Sequence, residues 1–308
     1  MENHWSPPLR TGWIAGLTLT VILIAAAVGL IVPVVTQPPS LRSFFLILGA
    51  CLSFGLAIRV LYQLWGLINA DYEMDRNALT IRWGPVTHQV PMGTVRAVIR
   101  GSDLTDLHIL PTLRWPGYFL AVGKAQLQQE DRRQTLDPVL FFATQPLASQ
   151  VVICTDGMAY AISPADLEGF LAALHERLEM GPTQDIEPYA THPKFLDWEI
   201  WRDRLALVTL AGSVVVFIAL LGFLFWRYPS LPQEVILRVT PQGTPLLTAP
   251  PRRIFYFPIL GAASLLINVT LGFLLYHRER LLAYFLWIGT LAAMTTLTAV
   301  TVSVLRMP

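Results

Sequence analysis

Six histidines and two cysteines are the residues of this chain best suited to metal, redox or acid–base chemistry, and their spacing equips them for none. His88, His108, His175, His192 and His277 share no ligand spacing, and no Cys or His pair stands one helical turn apart. Cys51 falls in an apolar stretch and Cys154 in a polar block, so they form no redox or metal motif. A chain without a disulfide framework suits a reducing compartment. Asp103 and Asp106 precede His108, but no nucleophile motif, glycine-rich phosphate loop or His-Glu-x-x-His accompanies them. The reading is non-enzymatic, with no cofactor and no metal.

Five side chains remain as candidates for contact with a partner or the membrane. Arg59 is the one charge inside a long apolar run, and an ionisable group at depth is a functional candidate by default. It stands six residues from Trp65, close enough for its stem to snorkel to the interface. Trp83 and Trp115 are large and sit near turn signals. Arg132 and Arg133 form a local basic pair inside the polar, Gln-rich stretch 124–138, which reads as a long excursion between strands.

The elements that must position them are mostly apolar. The chain is 54% hydrophobic and only 14% charged, against about 25% charged residues in a typical soluble domain. Five stretches are long enough to cross a bilayer as helices: 12–34, 44–67, 205–226, 254–276 and 281–304. Trp13, Trp65, Trp201, Trp226 and Tyr276 mark their ends, where amphipathic rings favour the headgroup layer. The first segment is too long for a signal-peptide core and reads as an uncleaved anchor. Residues 1–68 form a transmembrane hairpin, 182–204 an acidic, Pro-containing linker, and 205–308 a three-helix transmembrane region. Five crossings place the amino end, the polar block and the 277–280 turn on one side. Lys and Arg near the spans divide five against five between the two sides, so the positive-inside rule is tied.

The block 69–181 changes period. Short β-rich runs at 79–90, 95–99, 118–122, 139–143, 150–154 and 158–162 alternate with turn signals, Asp156-Gly157 being the strongest. One amphipathic helix follows, with Ser163 as N-cap, Pro164 at its first position and Leu167, Phe170, Leu171 and Leu174 at helical spacing. The expected fold class is α+β: a polytopic α-helical membrane protein with one inserted small β-barrel or sandwich, capped by a carboxyl-terminal helix.

Several runs resemble the bacterial pleckstrin-homology (PH) domains of membrane proteins. They are Tyr72-Glu73-Met74-Asp75 leading to Leu79-Thr80-Ile81-Arg82-Trp83-Gly84, Val90-Pro91-Met92-Gly93-Thr94-Val95, Gly117-Tyr118-Phe119, Phe142-Ala143-Thr144, and Val152-Ile153-Cys154-Thr155 with Tyr160-Ala161-Ile162-Ser163-Pro164. The resemblance covers about 72–175. It implies a cytoplasmic PH-like domain on a bacterial inner membrane and brings no catalytic residues. Residues 69–204 hold 12 basic against 18 acidic side chains. That balance argues against phosphoinositide, which attracts basic clusters, and against nucleic acid.

The leading functional reading is a scaffold or assembly module that binds another integral membrane protein or a second copy of itself. Two alternatives stand beside it. One is lipid or small-molecule sensing or transport by the helices, near Arg59, Asn268 and Thr295. The other is an extracytoplasmic sensor built on the 227–253 loop.

Overall fold

The computed structural model describes residues 3–110, 112–129, 132–191, 198–239 and 245–306. Its five long apolar helices are α1 (Arg10–Thr36), α2 (Leu41–Ile68), α4 (Arg204–Arg227), α5 (Tyr256–Tyr276) and α6 (Arg280–Arg306). Each meets the expected stretch to within a few residues, and each is long and apolar enough to cross a membrane. At about 1.5 Å per residue they match or exceed a hydrocarbon layer of roughly 30 Å. The chain divides into two compact units, Met1–Ala25 with Ser53–Pro193, and Ala26–Leu52 with Lys194–Pro308.

Among the described residues the first unit holds two sheets, one further helix, the start of α1 and the end of α2. Strands β1 (His4–Trp5), β2 (Ala70–Met74), β3 (Ala78–Trp83), β4 (Val86–Pro91) and β11 (Tyr189–Thr191) form one sheet in the order β1-β2-β3-β4-β11. Strands β5 (Val95–Arg100), β6 (Leu104–Ile109), β7 (Phe119–Gln129), β8 (Arg132–Ala143), β9 (Val151–Thr155) and β10 (Ala159–Ile162) form the other, in the order β5-β9-β10-β8-β7-β6. The expected Asp156-Gly157 hairpin joins β9 to β10, with Ala159 opposite Cys154. Alternate residues of β9 face opposite ways. Val151 and Ile153 join one apolar cluster, Val152 and Cys154 another.

Two expectations change. The stretch 124–138 continues strands β7 and β8, which stay paired from Phe119–Ala143 out to Gln129–Arg132. The cause is alternation: Ala125 and Leu136 are buried, so the ladder keeps one apolar face beyond Gly123. Helix α3 (Leu167–Met180) starts later than Ser163 suggests. Its N-cap is Asp166, which accepts from the Gly169 amide at 3.0 Å. Ser163 is buried and its hydroxyl accepts from the Thr144 amide at 2.7 Å. The Ala165 amide bonds Ser6 oxygen at 3.1 Å. These two ties keep the chain extended until Asp166.

The main core gathers Trp5, Tyr72, Trp83, Tyr118, Phe142 and Phe170 with Val60, Leu64 and Leu67 from the end of α2. Tyr72 is fully buried. Its hydroxyl donates to Phe142 oxygen at 2.5 Å and accepts from the Ser163 amide at 3.4 Å. Burial pushes its phenol well above the usual range, so it stays a neutral donor. The linker is tied back to the β2–β3 turn, where Asn77 accepts from the Thr183 and Gln184 amides at 2.7 and 3.1 Å.

In the second unit, Asp203 caps α4 by accepting from the Leu205 and Ala206 amides at 3.0 and 3.2 Å. It also accepts from the Tyr276 hydroxyl at 2.8 Å and from the Tyr284 hydroxyl, so one carboxylate joins the ends of three helices. Burial pushes that carboxyl up, but the two hydroxyls and two amides outweigh it and leave it below the usual carboxylate range. Trp287 is fully buried against Gly272, where a Cβ would lie 2.1 Å from the indole nitrogen. Only glycine allows that approach. Strands β12 (Val235–Val239) and β13 (Pro245–Ala249) pair antiparallel within the 227–253 connection.

Candidate functional site

The two sheets finish their edges differently. An edge strand presents unpaired amides and carbonyls, a template that proteins usually cover or blunt. The first sheet covers both edges with chain from outside the 69–181 block. On one side β1 sets His4 opposite Glu73 and Trp5 opposite Tyr72. Trp5 is held by an edge-on contact to Phe170 at 5.5 Å and by the Arg177 guanidinium over its ring at 5.7 Å. On the other side β11 sets Tyr189 opposite Gln89, and the Thr191 hydroxyl accepts from the Thr87 amide at 3.1 Å.

The second sheet leaves β5 open. Among the described strands β5 pairs only with β9. The Gly101 amide bonds Gln150 oxygen at 2.8 Å, so by alternation the Ile99 and Ala97 amides face β9. Those of Val98 and Arg100 face outward. A groove of about 480 Å³ runs between this edge and α3, walled by Val98, Ile99, Leu171, Leu174 and Leu178. Its rim is polar: Arg100 pairs with Glu168 at 2.9 Å and His175 lies 3.6 Å from Glu179. At the far end of β5, Arg96 makes a two-pronged contact to Asp156 at 2.6 and 2.9 Å. The Arg96 guanidinium holds the Asp156 carboxyl below its usual range, more than offsetting a small desolvation effect.

Three of the five side chains singled out in the sequence meet at Tyr118. Trp115 stacks on it at 4.3 Å with 12° between planes, and Trp83 approaches edge-on at 6.0 Å. Both tryptophans are buried. Burial pushes the Tyr118 phenol up to about 12, with Trp83, Arg59 and Gln63 near enough to pull it partly back. Arg59 itself is exposed on α2, one residue before the core residue Val60. Trp115 also donates to Gly12 oxygen at 2.9 Å. Gly117, at φ +82°, lies so close to Gly12 that a Cβ would meet its nitrogen at 2.2 Å. The start of α1 is thus packed backbone to backbone on the domain. Arg132 and Arg133 are elsewhere, opposite Gln129 and Gln128 near the tip of the β7–β8 hairpin; their side chains lie outside the described residues, as do 192–197 of the linker.

Asn268 bonds Ser264 at 3.3 Å on its own helix, and Thr295 donates to Ala292 oxygen at 2.8 Å. Among the described residues no group of three or more His, Cys, Asp or Glu side chains could hold a metal ion. Sequence reading missed the groove because Val98, Leu171 and Leu178 look like ordinary core positions.

Two sheets closed by a carboxyl-terminal helix define a PH-like domain. Residues 70–178 match the family model described as Bacterial PH domain, roughly a third of the chain. No curated protein and no solved structure matches. The chain therefore carries a bacterial PH-like domain in a protein with five long apolar helices.

Proposed function

We propose that this is a non-enzymatic, membrane-anchored docking module of a bacterial inner membrane, with its PH-like domain on the cytoplasmic side. Its partner is an extended segment of another integral membrane protein, added as a strand to β5. The observation that carries this reading is the open β5 edge beside an apolar groove, in a domain whose other sheet has both edges covered. Backbone pairing supplies affinity, and alternate apolar side chains entering the groove supply selectivity. Anchoring both proteins in one bilayer raises their effective concentration. A second copy is a poorer occupant: an antiparallel β5 pair centred on Val98 sets Arg96 opposite Arg100, and like charges directly opposite are destabilising.

The test uses the full chain in its native membrane, with a photo-crosslinking residue at exposed Ala97 and, as control, at Tyr189. The expected result is one membrane protein cross-linked at 97, not at 189, and lost in Val98→Pro. That proline removes an outward amide and leaves the β9 ladder intact. A cross-link to a second copy would replace the heterotypic reading with self-association. Labelling that survives Val98→Pro would remove β5 as the docking edge.

A further inference from the structure

A second cleft, of about 550 Å³, opens where α1 begins. It is separate from the β5–α3 groove and shares no lining residue with it. Trp115 and Phe119 supply aromatic wall, while Thr11, Gln145 and Ser149 supply hydroxyl and amide groups. Among the described residues no Asp or Glu lines it, although the surrounding domain is net acidic.

Its depth is set by the chain. Thr11 lies in the first turn of α1, the first of the helices able to cross a membrane. The cleft mouth is therefore at the level where hydrocarbon gives way to headgroups. Aromatic rings with a polar neighbour are favoured there.

Two cations stand at this level. The Arg114 guanidinium, one residue before the lining residue Trp115, lies over the ring of Phe119, another lining residue, at 5.5 Å. Arg10 precedes Thr11 at the start of α1. Among the described residues neither is paired with a carboxylate in an ion pair of 4 Å or less. On the same domain Arg82, Arg96 and Arg100 each pair with a carboxylate, while Arg76 donates to the Met180 and Gly181 oxygens and Arg177 to the Ala173 oxygen and the Asn3 side chain.

We propose that this cleft holds the headgroup of one anionic glycerophospholipid from the leaflet in which α1 begins. Arg114 and Arg10 meet its phosphate, Ser149 and Gln145 bond its polar headgroup, and Trp115 and Phe119 cover the glycerol end. Two arginines suit one phosphate diester, not the several phosphates of a phosphoinositide. Because Trp115 also bonds Gly12, an occupied cleft braces the start of α1 against the domain.

The experiment uses the full chain in a neutral detergent. Lipid retention is read by native mass spectrometry, and thermal unfolding is read in parallel. The probes are phosphatidylglycerol, phosphatidylcholine and inorganic phosphate at matched concentration. The expected result is a one-to-one phosphatidylglycerol adduct that raises the unfolding temperature, with phosphatidylcholine retained several-fold less. Arg114→Gln should cut phosphatidylglycerol retention about fivefold, the attraction of one basic side chain to an anionic lipid. Its lipid-free unfolding temperature should stay unchanged. Ser149→Phe, which fills the cleft, should abolish the adduct. Equal retention of both lipids, or an adduct indifferent to both variants, would overturn the proposal. Stabilisation by inorganic phosphate alone would mark a soluble-anion site and overturn the lipid assignment.

Discussion

The two sheets of the PH-like domain have similar cores and opposite edges. The first recruits two short strands, β1 from before the first helix and β11 from the linker, and leaves neither β2 nor β4 open. Among the described strands the second ends at β6 on one side and at β5 on the other, and β5, six residues long, has an apolar groove alongside. Residues with no pattern of their own cover one sheet; a strand with a clear pattern is left uncovered on the other. An edge is closed by what can reach it, and the docking capacity of the domain is set by where that reach stops.

The largest expected effect comes from opening the covered sheet. Trp5 is 5% exposed and holds β1 against Phe170 and Arg177. Trp5→Ala should cost about 3–5 kcal/mol, the range for deleting a buried aromatic side chain. Differential scanning fluorimetry of the full chain should show a drop of several degrees, with aggregation as the β2 edge opens. An unfolding temperature like that of the unaltered protein would mean that β1 is ornamental.

Tyr72→Phe probes the core shared by both sheets. It strands Phe142 oxygen and the Ser163 amide in a buried site, at a cost of about 1–3 kcal/mol. Denaturant unfolding should report it as a lower midpoint with an unchanged slope.

Val98→Pro sharpens the contrast from the other side. It removes a donor that has no strand partner among the described residues, so stability should move by less than about 1 kcal/mol while partner cross-linking is lost. A large loss of stability would show that the β5 amide is already engaged within the protein.

The smallest effect concerns acid. Asp156 is held low by Arg96 at the end of β5. A depressed carboxyl adds stability above its unfolded pKa of about 3.9 and loses it as pH falls through the folded value. Asp156→Asn should therefore lower stability slightly at pH 7 and flatten the slight loss that the unaltered protein shows below about pH 4. Both groups are exposed, so the change should be near the resolution of a pH-dependent melt, and added salt should shrink it.

Much of the fold is legible in residue order. Continuous apolar runs leave a helix as the only way to satisfy backbone groups in lipid, and so the five long helices fall where hydropathy puts them. Asp156-Gly157 between two apolar runs makes the β9–β10 hairpin on local grounds. The Tyr72 to Pro164 runs that resemble a bacterial PH domain lie inside the matched 70–178. The candidate site is less legible. Trp83, Trp115 and Arg59 attract notice by type, yet their shared neighbour Tyr118 does not, because nothing local links α2 to the strand after Gly117. Strands β7 and β8 look polar because only one residue in two carries the apolar face.

Apolar run length, turn chemistry and alternation thus determined the helices, the class of the inserted domain and most of its strands, since each acts over a few neighbouring residues. Tertiary structure alone decided which edges are covered. His4–Trp5 and Tyr189–Thr191 are strands only because β2 and β4 offer them amides and carbonyls from distant parts of the chain. It also decided that, among the described residues, β5 has no second strand partner and no carboxylate lines the cleft at Thr11. Those properties depend on which distant side chains arrive in one place, and a linear pattern carries no record of that.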